Sequence, residues 1–396
     1  MWNISTIDLL YLNLLKNVLT GLAYPHHEKS VVPSFRRDLR IQSLNVDSRI
    51  DGSDWPLLGL TMIGRRRLHN IQSALVDVDR RRIDGDFVEC GVWRGGASIF
   101  AAAVIGRLEN RRLSTGNENG RRLSTGNENG RRFSTGNEND RRLSTGNEKG
   151  RQRRHVWLFD SFAGFPTSTI RQDFAGWIDD QFSFVDYAKV GLDQVQANFR
   201  SLRLLSNDSV HFVKGYFQFS LPMYKRQLAV RKIAVLRFDG DTFAATMTTL
   251  YHLYDKLSIG GWLIIDDWQV PACRRAVNLF RSIHNITEPI VPVGNDSVYW
   301  TKTNDVMVNG SDWTALLEAE GSYHVQARAI KCAIYLLCLF ACVVSTCASI
   351  RLENRQRKYN GPYVSFTYLR RPIKLASTRV AHLIVLLSYQ SANQKY

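Results

Sequence analysis

Four aspartates in two short strings carry the strongest chemical signal in this chain. They are Asp239 and Asp241 in L-R-F-D-G-D (236–241), and Asp266 and Asp267 in G-G-W-L-I-I-D-D (260–267). Each string begins as a short apolar strand and ends on its acids: Ile233–Phe238 runs into Asp239 and Asp241, and Trp262–Ile265 into Asp266 and Asp267. Carboxylates crowded together repel one another and raise one another's pKa unless a cation lies between them. Hard oxygen ligands of this kind suit Mg²⁺, which keeps positions open for water or substrate. A single aspartate at a strand's end often does no more than cap the next helix. The pairing of acids at two neighbouring strand ends is what points to a site.

The pattern between the two strings says how they are positioned. Met247, Leu250, Tyr251, Tyr254 and Leu257 fall on one helical face, and Gly260 and Gly261 read as the stop of that helix. A strand–helix–strand unit in one parallel sheet brings both strand ends to one edge, where open α/β sheets bind ligands. Upstream, D-G-D-F-V-E-C-G-V-W-R-G-G-A-S (84–98) reads as a strand over Phe87–Cys90, a glycine-rich turn over Gly91–Gly96 and a helix from about Ala97. Such a turn lets the backbone approach a ligand and aims helix N–H groups at it. Gly91 and Gly95 are four residues apart, whereas the dinucleotide fingerprint has its first two glycines two apart, which argues against a nicotinamide-dependent oxidoreductase. A second strand, Val156–Phe159, ends on Asp160, where a nucleoside ribose is typically gripped through its hydroxyls. A helix over 190–202, a strand over 210–213 followed by Gly215 and Tyr216, a helix over 271–283 and a closing strand pair at 289–293 and 297–301 complete the pattern.

The 396 residues are enough for one large α/β domain with appendages. A net charge of +16 first suggests nucleic acid, but its location excludes that reading: residues 111–154 hold a net +7 and residues 328–396 a net +10. The remainder is near neutral, so no nucleic-acid partner is expected. None of the six cysteines has metal-ligand spacing backed by histidines, and reduced thiols are the simplest account. The opening M-W-N-I-S-T-I-D lacks the basic n-region of a signal peptide, so a cytoplasmic protein is expected.

Four segments follow. Residues 1–83 read as a helical cap, with loops around Pro25, Pro33 and D-G-S-D-W-P. Residues 84–110 and 155–313 form the α/β domain. Residues 111–154 contain four copies of a decapeptide of the form RRLSTGNENG, with one apolar residue per unit, and are expected to be disordered. Each copy presents Arg-Arg-x-Ser, a basophilic-kinase pattern, although duplication without function explains it better. The insert falls where a short helix-to-strand connection belongs, so its deletion is expected to spare ligand binding. Residues 328–396 form a basic tail whose uncharged run, Cys332 to Ile350, has the length of a membrane span. More basic residues follow that run than precede it, which would place the α/β domain outside the cytoplasm with no signal to take it there.

With these residues assembled, the chain resembles the macrocin O-methyltransferase family. The matching strings, in order, include Y-L-N-L-L-K-N-V-L-T-G (11–21), T-M-I-G-R-R-R-L-H-N-I-Q (61–72), E-C-G-V-W-R-G-G-A-S (89–98), D-S-F-A-G-F-P (160–166), L-R-F-D-G-D (236–241) and L-S-I-G-G-W-L-I-I-D-D (257–267). The resemblance implies a Rossmann-like class I methyltransferase: a mostly parallel seven-stranded sheet, its last strand reversed, with helices on both faces and a helical cap. It implies S-adenosylmethionine over Glu89, Gly91, Val92, Trp93 and Gly95. Asp160 would hold the ribose, with Ser161, Phe162 and Gly164 following, Gly215 and Tyr216 beside the adenine, and Thr61 and Met62 closing over. Mg²⁺ would sit on Asp239, Asp266 and Asp267. The implied reaction is methyl transfer to a hydroxyl of a sugar or other polyhydroxylated small molecule, the proton going to Asp239 in preference to Asp241. His69, Ala163, Phe243, Ala244 and Trp268 depart from the family pattern, which bears on the substrate more than on the fold. A catalytically silent binding protein of the same fold is the alternative, and a homo-oligomer is left open.

Overall fold

The computed structural model describes residues 5–33, 39–123, 153–165, 186–206, 208–227, 232–308 and 313. The remaining stretches, among them most of the decapeptide insert and the uncharged run 332–350, lie outside the described residues. No helix among the described residues is long and apolar enough to cross a membrane.

Seven strands form the main sheet: β4 (Asp86–Cys90), β5 (Val156–Asp160), β6 (Val210–Lys214), β7 (Ile233–Phe238), β8 (Leu257–Ile265), β9 (Val291–Val293) and β10 (Ser297–Thr301). Their order across the sheet is β6-β5-β4-β7-β8-β10-β9. The first five are mutually parallel, and β10 runs antiparallel to both β8 and β9. The expected mostly parallel sheet with one reversed strand is therefore present. The central strands β4 and β7 are buried along their whole length, and their residues divide between two cores. Phe87, Ala234, Val235, Trp262 and Ile264 pack into one core with α3 (Gly64–Arg80) and α4 (Gly96–Leu123). Val88, Leu236, Phe238, Leu263 and Ile265 pack into the other with α7 (Phe243–Leu253) and α8 (Pro271–Ile283). A strand covered on both faces has no need of polar alternation, which is why these strands read as continuous apolar runs.

Local sequence explains most element ends. Ser5 caps α1 (Thr6–Thr20) by accepting from the Asp8 N–H, and Gly21 ends it at a φ of 78°. Thr242 caps α7 by accepting from the Ala245 N–H at 3.1 Å, and Pro271 opens α8 where no helical N–H is needed.

Three expectations are corrected. The helix after β7 stops at Leu253, and Gly260 and Gly261 lie inside β8 instead of ending that helix. There the pairing jumps from Ile233–Leu257 to Val235–Trp262, so β8 bulges out, and Gly260 takes a φ of 80°. A Cβ on Gly261 would lie 2.9 Å from the Ala234 carbonyl oxygen, so only glycine fits. Second, the stretch with Pro25 and Pro33 is not all loop: β1 (Lys29–Pro33) pairs antiparallel with β2 (Leu39–Ser43) and β3 (Trp55–Pro56). This small sheet gathers around Arg49 of α2 (Val46–Asp51), which is buried and bonds Asp54 at 2.8 and 2.9 Å and the Thr20 carbonyl at 2.8 Å. Third, α4 carries the backbone of the first decapeptide on as helix to Leu123, past the point where the repeat begins.

Candidate active site

The sheet's hydrogen bonding extends one residue past each central strand. The N–H of Gly91 donates to Phe159 O, that of Asp239 to Cys90 O, that of Asp266 to Phe238 O and that of Gly215 to Asp160 O, at 2.8–2.9 Å. Gly91, Asp239, Asp266 and Gly215 are thereby aligned along the carboxyl edge, where the sequence placed the site.

At β7 and β8 the acids converge. Asp239, Asp241 and Asp267 each offer a carboxylate oxygen, and these oxygens lie within 4.8 Å of one another. Asp267 Oδ2 accepts from the N–H of Gly240 at 2.9 Å and of Asp241 at 2.8 Å, which folds the D-G-D turn back over it. Asp241 pays with a positive φ of 59°. Burial, then repulsion from Asp239 and Asp266, pushes the Asp241 carboxyl up to about 8. Burial and the same repulsion also raise Asp239 and carry Asp267 well above the carboxylate range.

Asp266, expected with Asp239 and Asp267 to hold the metal, stands beside this triad and is held by two guanidiniums. Its Oδ2 accepts from Arg67 Nη1 at 2.6 Å and its Oδ1 lies 3.0 Å from Arg237 Nη2. The two guanidiniums draw its carboxylate away, and Asp241, expected only as a proton acceptor, completes the triad. Arg237 also bonds Asp239 Oδ2 at 2.8 Å and Glu89 Oε1 at 2.5 Å. Sequence reading passed over Arg237, yet the signal was there: a charged residue inside the apolar string I-A-V-L-R-F must be paired. Arg67 carried no such signal, because its partner is distant in sequence.

The glycine turn lies beside the acids. Gly91, at a φ of 89°, passes so close to Asp239 that a Cβ would stand 1.5 Å from its carbonyl oxygen. Asp160 ties the turn to β5: its Oδ2 accepts from the Val92 N–H and its Oδ1 from the Phe162 N–H, both at 2.8 Å. Burial raises the Asp160 carboxyl, opposed by those backbone N–H groups. Ser161 Oγ donates to the Gly164 carbonyl at 2.6 Å and so closes the loop after β5. Tyr216 begins α6 (Phe217–Gln227), its carbonyl accepting from the Phe219 N–H at 2.9 Å. From the cap, Leu60 O accepts from the Gly96 N–H at 3.0 Å, and Thr61 lies against Gly96, with Met62 next in the chain. Gly95 packs on α5 (Leu192–Ser201), where a Cβ would lie 2.8 Å from Val195. Trp93 turns its ring to Tyr187, donating from Nε1 to that residue's carbonyl at 3.1 Å, while Arg94 stacks 4.2 Å from the Trp93 ring. Glu89, also expected at the cofactor, is buried beneath the turn. Its carboxylate points inward to Arg237 and Ser98 and is 1% exposed. Burial pushes it up to about 7.

Strand order, glycine turn and edge acids together define a class I methyltransferase. Comparison with known proteins supplies the family. The profile of macrocin-O-methyltransferases (TylF) matches residues 8–114 and 144–302. The chain is 32% identical over 301 residues to mycinamicin III 3''-O-methyltransferase of Micromonospora griseorubida, covering 74% of this chain and 96% of that one. It is 33% identical over 303 residues to 8-demethyl-8-(2,3-dimethoxy-alpha-L-rhamnosyl)-tetracenomycin-C 4'-O-methyltransferase of Streptomyces olivaceus, covering 74% and 93%. The solved structure of the O-methyltransferase NovP superposes with a TM-score of 0.55 at 30% identity, covering 75% of this chain and all of that one. The chain belongs to the macrocin O-methyltransferase family and is an S-adenosylmethionine-dependent O-methyltransferase.

Proposed function

We propose that this enzyme methylates a hydroxyl of a sugar or other polyhydroxylated small molecule, assisted by Mg²⁺ at the edge acids. The observation that carries this reading is the approach of Asp239, Asp241 and Asp267 within 4.8 Å beside the glycine turn. The donor set is all hard oxygen, and its mutual repulsion is relieved by a dication, so Asp239, Asp241 and Asp267 fit Mg²⁺. The relatives' names support the substrate class, since one of them methylates a rhamnosyl-bearing compound.

When bound, S-adenosylmethionine supplies an electrophilic methyl on a sulfonium, and Mg²⁺ lowers the pKa of a hydroxyl beside it. The chain supplies the rest. Its glycine turn would present backbone to the cofactor, Thr61 and Met62 would close from the cap, and the aligned edge would orient acceptor and methyl. Arg237 claims Asp239 Oδ2, and two backbone N–H groups claim Asp267 Oδ2. Asp241, whose carboxylate carries neither of these bonds, is therefore the group assigned to take the hydroxyl proton, in place of the Asp239 favoured by sequence. A bound cofactor would supply the methyl by losing its C–S bond as the new C–O bond forms, leaving the neutral thioether.

Labelled methyl transfer to a panel of glycosides with vicinal hydroxyls tests this. Transfer should stop with a chelator and fall roughly 10²- to 10⁴-fold in Asp241→Asn. Cofactor binding without transfer to any acceptor at saturating Mg²⁺ would instead assign a silent relative.

A further inference from the structure

Arg237 sits in the middle of the three central strands. Its backbone pairs in register with Glu89 of β4 on one side and Ile264 of β8 on the other. Its side chain is 2% exposed, and its two terminal nitrogens divide between three carboxylates, one from the end of each of those strands. Nη1 takes Glu89, two residues before the Gly91 of the cofactor turn. Nη2 takes Asp239, a member of the acidic cluster, and Asp266. A planar fork does this because its donors diverge in fixed directions, whereas an ammonium is a point charge.

We infer that Arg237 is a positioning residue that joins the cofactor turn to the cation-binding acids, so that filling either site tightens the other. The inference rests on the reading of the acids as a Mg²⁺ site. A cofactor seated on the turn orders Glu89, and with it the guanidinium that orients Asp239. A cation on Asp239 orders the same group from the other end. Whichever ligand binds second meets a fork already set, which is positive and reciprocal coupling. Coulomb interaction alone predicts little, because S-adenosylhomocysteine carries no sulfonium charge.

The test is calorimetric and needs no turnover: Mg²⁺ is titrated into the full chain with and without saturating S-adenosylhomocysteine. The wild type should bind Mg²⁺ at least about fivefold tighter with the thioether present. Arg237→Lys, which keeps the charge and loses the fork, should bind both ligands more weakly and show a ratio near one. An unchanged ratio in Arg237→Lys overturns the inference. Should that variant fail to fold, the wild-type titration decides by itself, since two ligands without mutual effect overturn this inference alone. A wild type that binds the thioether but no Mg²⁺ overturns the reading of the acids and this inference with it.

Discussion

Arg67 and Asp266 are 199 residues apart in sequence, and the guanidinium Nη1 of one stands 2.6 Å from the carboxylate Oδ2 of the other. Arg67 belongs to α3 in the cap and Asp266 follows the last residue of β8, so this contact ties the cap to the edge of the sheet, beside the packing of α3 on the core. Arg67 also donates to the carbonyls of Ile63 at 2.8 Å, Gly52 at 2.7 Å and Met62 at 3.4 Å. The segment that closes on the glycine turn is thus held by the same residue that holds Asp266.

Removing Arg67 should therefore act on stability and on binding together. Arg67→Met leaves a buried carboxylate with only Arg237, at a cost of about 3 kcal/mol, the low end for a broken buried pair. Urea unfolding measures the loss, and calorimetry should show weaker S-adenosylhomocysteine binding. Full stability in the variant would mean that the contact is not what fastens the cap.

Metal binding should depend on pH with a definite sign. Burial and repulsion raise Asp241 to about 8, above its unfolded value, so the metal-free fold holds a proton there that the unfolded chain has released. That contribution is present below the unfolded pKa and is lost as pH rises through about 8. Mg²⁺ replaces the proton as the neutralising charge and releases it on binding. The gain in Tm on adding Mg²⁺ should accordingly be larger at pH 8.5 than at pH 6. Equal gains at both would exclude Asp241 from the cation site.

The family match resumes at residue 144 after breaking off at 114, so the intervening repeat is an addition to an otherwise continuous fold. Deleting 115–143 should leave S-adenosylhomocysteine affinity within about twofold of the full chain, measured by the same titration. Greater loss would give the insert a part in cofactor binding. The reason to expect none is that the turn, the edge acids and the cap segment all lie in the two matched parts.

The sequence by itself determined the sheet and the edge it presents. Buried parallel strands leave continuous apolar runs, and the acids and glycines that follow such runs must emerge at one edge, so the places of Gly91, Asp160, Asp239 and Asp267 along that edge were legible. Element ends were legible where one residue type decides them, as with Thr242 and Pro271. Only the tertiary structure decided how the acids are shared. Whether Asp266 or Asp241 joins the cluster depends on Arg67, which arrives from another layer, and on Arg237, whose reach across three strands depends on their register. The glycines at 260 and 261 were misread for the same reason: a helix stop and a strand bulge use the same residue, and only the neighbouring strand distinguishes them. Local chemistry names the groups that can act, and long-range pairing selects which of them are free to do so.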